Sequence, residues 1–238
     1  MTPMQWALIL TLMAGMAMPF GAIIAHFLQI KPRWLEKEIL HGITAFGGGA
    51  LLSAVSLVLV PEGIKHFNAV QSASLFLLGG VIFMLLDYRL SKSGSSMSQL
   101  IAMLSDFIPE SLALGAAVAV GRKDAMLITL LIIMQNLPEG FNAFREIRQS
   151  RQFSVKTVIG IFLLLALTGP IAGMAAYIWL SEWHGMISGI MLFSAGGILY
   201  IVFQDIAPQA VLAKHWGPPL GAVLGFALGL IGYVMVNQ

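Results

Sequence analysis

Two short segments carry acids inside otherwise apolar stretches. Asp106-Phe107-Ile108-Pro109-Glu110 and Gln135-Asn136-Leu137-Pro138-Glu139 share one pattern, polar-x-x-Pro-Glu. Residues four apart on a helix share a face, so Asp106 pairs with Glu110 and Gln135 with Glu139. If the two faces meet, three carboxylates and one amide oxygen converge. Neither stretch offers a Lys or Arg at that depth, so the charge must be offset by protons or by a bound cation. An Asp at the centre of a membrane helix costs about 2.5–3.5 kcal/mol, and such a group is normally paired, wet or functional. Pro109 and Pro138 each delete a backbone N–H and displace the helix bond one turn back. That frees the carbonyls of Ser105 and Met134. Carboxylates beside free carbonyls on kinked helices form an oxygen-rich cation site.

The elements that must hold these residues follow from composition. The 238 residues are 58% hydrophobic and 10% charged, with mean hydropathy +0.87. An average soluble domain is roughly 25% charged, so a soluble globular protein and a disordered chain are excluded. A net charge of +2 leaves no basic face for nucleic acid. A helical span needs about 20 apolar residues. Eight such stretches can be drawn: Met4–Leu28, Ile39–Val60, Val70–Leu90, Ser98–Val120, Ala125–Phe144, Val155–Leu180, Met186–Val211 and Gly217–Val236. They are apolar all round and twice the length of a barrel strand, so they read as helices. The expected fold is an all-α membrane protein of eight transmembrane helices, with membrane lipid as its surroundings. The first stretch lacks a basic leader region and reads as a retained span. Cysteine is absent, which removes disulfides and thiolate zinc sites. The 14 Met residues are scattered, as packing residues are.

Ten of the 13 Lys and Arg residues fall in the loops after spans 1, 3, 5 and 7. Basic loops stay in the cytoplasm, so both termini should face outward.

Spans 2 and 7 share a register. Phe46-Gly-Gly-Gly-Ala-Leu-Leu runs to Pro61-Glu62, and Phe193-Ser-Ala-Gly-Gly-Ile-Leu runs to Pro208-Gln209. Gly49/Gly196, Leu52/Leu199 and Val55/Val202 coincide, yet the two spans travel in opposite directions. Similar sequence in opposite directions marks an inverted repeat, a common plan among secondary transporters. Spans 4 and 5 form a second related pair. The single transmembrane domain then divides as 3+2+3: residues 1–90, a central pair at 98–146, and residues 155–238. Asp205 and Gln204, about one turn from the cytoplasmic end of span 7, suit either an exit path or the interface. Glu62 at the outer end of span 2 suits cation attraction or plain solvation, and Asp87 suits snorkelling. The five His residues lie near span ends or in loops and read as interfacial or solvated.

These motifs resemble the ZIP family of divalent-metal transporters, in particular its GufA-like bacterial branch. The resemblance covers essentially the whole chain. The family's fifth span reads His/Gln-Asn/Asp-x-Pro-Glu-Gly, matched by Gln135-Asn136-Leu137-Pro138-Glu139-Gly140. Its fourth reads His-Asn-x-Pro-Glu-Gly, and here Asp106, Phe107 and Ser111 replace the His, Asn and Gly. Thr168-Gly169-Pro170 stands where the branch often has a Glu-Pro completing a second metal position. The His-rich loop between spans 3 and 4 is reduced to Ser91–Met97. The resemblance implies a single metal site of Asp106, Glu110, Gln135 and Glu139, with Asn136, Ser105, Gln204, Asp205 and Glu62 as supporting or pathway residues. It also implies a bacterial inner-membrane location and leaves a homodimer open.

The expected function is a secondary carrier or uniporter of a divalent cation, with no resident cofactor. An imidazole site suits Zn²⁺, whereas an all-oxygen site suits harder ions, so zinc, manganese and iron(II) are all candidate substrates. The alternative is a ZIP-fold carrier of an organic cation or of protons. Intramembrane enzymes are disfavoured: Gly-x-Gly-Asp and His-Glu-x-x-His are both absent.

Overall fold

The computed structural model describes residues 2–28, 33–93, 97–119, 121, 125–149, 153–179, 182–210 and 217–238. The described residues form eight helical rods. They are α1 (Pro3–Phe27), α2 (Arg33–Ala54, continuing to His66), α3 (Ala69–Ser93), α4 (Met97–Ala119), α5 (Ala125–Gln149), α6 (Val155–Ala166 and Thr168–Trp179), α7 (His184–Ile201, continuing to Gln209) and α8 (Gly217–Asn237). Each coincides with one of the eight apolar stretches. Several run a turn or more further, because a helix continues into polar residues that hydropathy does not mark.

Six rods are long and apolar enough to cross a membrane: α1, α2, α3, α6, α7 and α8. α4 and α5 carry the polar residues of the two motifs. Large apolar side chains cover the outside of the bundle, with Val70, Ile171 and Met235 each more than 70% exposed. Such a surface requires lipid or protein around it.

Local signals set the rod ends. Thr2 caps α1, its hydroxyl accepting from the Gln5 amide while the Gln5 side chain accepts from the Thr2 N–H. Ser154 caps α6 through the Thr157 amide at 3.1 Å. α6 breaks at Leu167 because Pro170 has no N–H for the Ala166 carbonyl.

α2 and α7 share a less common feature. Each passes into a five-residue π-helical turn, Val55–Leu59 in α2 and Val202–Ile206 in α7. Each turn is followed two residues later by proline, Pro61 or Pro208. The missing proline N–H leaves one carbonyl of the widened turn without its helical donor. Both turns begin at the Val55/Val202 register position that the sequence comparison aligned.

The rods pack in reciprocal pairs. α2 lies along α8 and α7 along α3; α1 lies along α5 and the second half of α6 along α4. Glycine makes the seams. A Cβ on Gly49 would strike the Ala222 carbonyl of α8, and one on Gly225 the Phe46 carbonyl. On the other pair, Gly196 meets the Phe76 carbonyl of α3, and Gly79 the Phe193 carbonyl. Gly21 of α1 and Gly140 of α5 bring those two backbones together in the same way. In lipid, where burial of apolar area gives little drive, such small-residue seams supply the packing.

The seams make a direct prediction. Gly21→Leu forces a side chain into the Leu137 carbonyl and should destabilise the protein by about 3 kcal/mol, the upper end of overpacking costs. Gly160, which has nothing within 4 Å of a built Cβ, should accept Ala with no loss, or gain up to about 1 kcal/mol from helix propensity. Unfolding titrations in detergent micelles compare the two variants with the wild type.

Candidate functional site

α4 and α5 meet where their Pro-Glu motifs face each other. The Gln135 side-chain N–H donates to Glu110 Oε1, joining the two rods. Both residues are buried, at 4% exposure each. The remaining acceptors, Glu110 Oε2 and Gln135 Oε1, are buried and find no hydrogen-bond donor among the described residues. The two motifs thus each leave one buried oxygen without a donor. Buried acceptors of this kind are costly unless a cation, a proton or water completes them.

Glu139 lies within electrostatic reach of Glu110 on one side and of Asp205 on the other. The backbone of Asp106 is in α4, one turn before Glu110. The side chains of Asp106 and Ser105 lie outside the described residues. Among the described residues, no three His, Asp or Glu side chains stand close enough to share a metal. Of the four expected site residues, the described side chains are those of Glu110, Gln135 and Glu139.

The surroundings hold this set in place. Gly47 of α2 lets that rod lie on Pro138, with a built Cβ 3.1 Å from the proline ring, while Gly48 lies against Ile206 of α7. The glycine run that the sequence singled out thus seats α2 beside the kink that carries Glu139. Asn136 donates to the Ala14 carbonyl of α1 at 3.1 Å. It is 1% exposed, and its amide acts as a clamp between α5 and α1.

A cavity of about 20 Å³ touches Glu110. Ala54, Val58 and Leu59 of α2, Ala113 of α4, and Ile128, Leu131 and Ile132 of α5 complete its wall. It has room for about one water molecule. Further acids stand near Glu139. Asp205 of the α7 π turn is an electrostatic neighbour of Asp87 and Glu146 as well as of Glu139. Asp87 accepts a hydrogen bond from Tyr200 at 3.0 Å, so it is held in the bundle and not merely snorkelling. Gln204 is exposed. Glu62 pairs with Lys65 at 2.5 Å.

The sequence reading passed over Glu146 and Tyr200. Their signal was available, since each lies on a rod whose neighbours were already implicated, but a charge near a helix end is ordinarily solvated.

The Glu110–Gln135 contact yields a test. Gln135→Leu leaves a buried carboxyl without its donor and should cost about 1–3 kcal/mol. Glu110→Leu combined with Gln135→Leu should cost less than the two single changes added together. Unfolding free energies of the four proteins in detergent decide it; strictly additive costs would show that the two groups do not interact.

A search among curated proteins finds no match to this chain. The family model of the ZIP zinc transporter matches residues 88–237, from the end of α3 through α8. That span contains both Pro-Glu motifs, their rods and the α7 π turn. The chain belongs to the ZIP zinc transporter family and is a membrane protein that transports divalent metal ions.

Proposed function

We propose that a divalent cation is carried through a site between α4 and α5, bound by Glu110, Gln135 and Glu139 and completed by Asp106. The orphaned pair Glu110 Oε2 and Gln135 Oε1 carries this reading: both are buried, both are acceptors, and they belong to opposing helices. The cavity beside Glu110 favours a metal over the organic-cation alternative. At about 20 Å³ it accommodates a water-sized occupant. Its ligands are oxygens, so iron(II) and manganese stand beside zinc as substrates.

All eight rods span the membrane in this proposal, as 3+2+3 inverted repeats. The matched π turns, 147 residues apart from Val55 to Val202, support it. So does the reciprocal packing of α2 on α8 with α7 on α3. The basic loops set both termini outward, in a bacterial inner membrane, within the GufA-like branch. The outer side of the site is then sealed by Val58 and Leu59, and the inner side opens on Asp205. Those positions correspond across the repeat: Val58 of one π turn is Asp205 of the other. The repeat supplies the alternation, and the Val/Asp difference supplies a cytoplasmic exit for the cation.

Three measurements test the proposal. Glu139→Ala should abolish metal uptake into proteoliposomes while the protein remains folded and inserted; normal uptake would remove the central claim. Asp106→His replaces a hard oxygen with an imidazole nitrogen and should raise the Zn²⁺/Mn²⁺ affinity ratio modestly; an unchanged ratio would put Asp106 outside the site. Carboxylates in a shared site bind either protons or the cation, so metal affinity should fall as pH is lowered from 8 to 5. A binding constant flat over that range would contradict the carboxylate site.

A further inference from the structure

The geometry points to a second metal site, made by His66 and His184 at the end of the bundle opposite the basic loops. These residues are 118 positions apart. The last turn of α2 (Ile64–His66) and the start of α7 bring their rings to 6.0 Å between centroids, tilted by 46°. Both rings are exposed to solvent. The tilt and spacing are not those of a stacked pair. A zinc ion bonded at about 2.0–2.1 Å to one nitrogen of each ring fits between them after a small rotation of the rings.

The hydrogen bonds decide which nitrogens are available. Ser188 Oγ lies 3.3 Å from the Glu62 carbonyl and 2.8 Å from His66 Nδ1; with its single proton given to the carbonyl, its oxygen accepts from His66 Nδ1. His184 Nδ1 lies 3.4 Å from the Glu182 carbonyl, which can only accept. In the neutral rings both Nδ1 atoms therefore carry the proton, and both Nε2 atoms carry the lone pair. A ring whose other N–H is held by a carbonyl or a polar oxygen is the usual arrangement of a metal-ligating histidine. Here two such rings are brought together from opposite repeats.

Among the described residues no third His, Asp or Glu completes the set, so water fills the remaining positions. A two-imidazole site with open positions suits capture and rapid release. Imidazole selects Zn²⁺, Cu²⁺ and Ni²⁺ over Mg²⁺ and Mn²⁺. The outer site is thus selective where the all-oxygen site at Glu110 and Glu139 is permissive. Binding at the histidines stands on its own; its placement on the outer face rests on the orientation proposed above.

The test counts zinc ions bound to the purified full-length protein in detergent, by calorimetry and direct metal analysis. His184→Ala and His66→Ala should each lower the Zn²⁺ stoichiometry by one. The site should persist in Glu139→Ala, where zinc X-ray absorption should show two imidazole ligands, and Mn²⁺ should not occupy it. Ser188→Ala should retain the site with about tenfold weaker Zn²⁺ affinity, the lower end of losses from removing a supporting partner. Unchanged stoichiometry in both histidine variants would overturn this proposal. A Glu139→Ala protein that binds as much zinc as the wild type, while the histidine variants lose one ion, would overturn the central site and leave this one standing.

Discussion

A buried carboxyl with one donor and one oxygen left over governs this molecule. Glu110 is buried in an apolar core, and among the described residues Gln135 donates to it. That contact exists only if α4 and α5 keep a fixed register, because a shift of one residue turns the partner through about 100° on a 3.6-residue helix. Neither rod can hold that register alone, since side-chain contacts in lipid slide easily. The outer rods supply the rigidity: α1 is locked to α5 by Gly21, Gly140 and the Asn136 clamp, and α6 is seated on α4. Backbone contact through glycine restricts sliding because carbonyls and Cα atoms do not yield as side chains do.

The reciprocal packing explains why the site is central. α4 touches α7 while α5 touches α2, so each motif is backed by a rod carrying a π turn. A π turn adds a residue to the helix without lengthening it much, and this turns the following side chains to a new face. In α2 that places Val58 and Leu59 against the cavity beside Glu110. In α7 it places Asp205 within reach of Glu139. The same backbone device thus presents an apolar wall on one side and an acid on the other. The backbone device recurs in both rods, and the side chains on it differ, with Val58 in one turn at the position of Asp205 in the other.

How much was legible in the sequence follows from this division. The rods were legible because hydropathy over 20 residues is a strong signal, and the Pro-Glu pairing was legible because acids are costly in apolar helices. The Phe-to-Pro register of α2 and α7 aligned the positions where both π turns begin, although the π turns themselves have no composition of their own. Asn136 was grouped with the site for its position in the motif, and the structure gives its amide to the Ala14 carbonyl. One amide serves as ligand or as clamp equally well, so only the neighbour decides. His66 and His184 were each read alone as solvated, which each is. Their meeting depends on α2 ending where α7 begins, a tertiary fact that neither local sequence contains.

This difference between single residues and meetings of residues also bears on the departures from the family pattern. Thr168-Gly169-Pro170 replaces an acid-proline pair, and the structure shows what the replacement does. A Cβ on Gly169 would strike the Phe107 ring and the Thr11 carbonyl. Phe107 is fully buried and stands where the family has Asn. The residues at these two positions therefore pack against each other. A bulky ring fills the space, and a glycine opposite makes room for it. Any side chain at position 169 would meet that ring. Phe107 and Gly169 together close the space between α4 and α6 at this level.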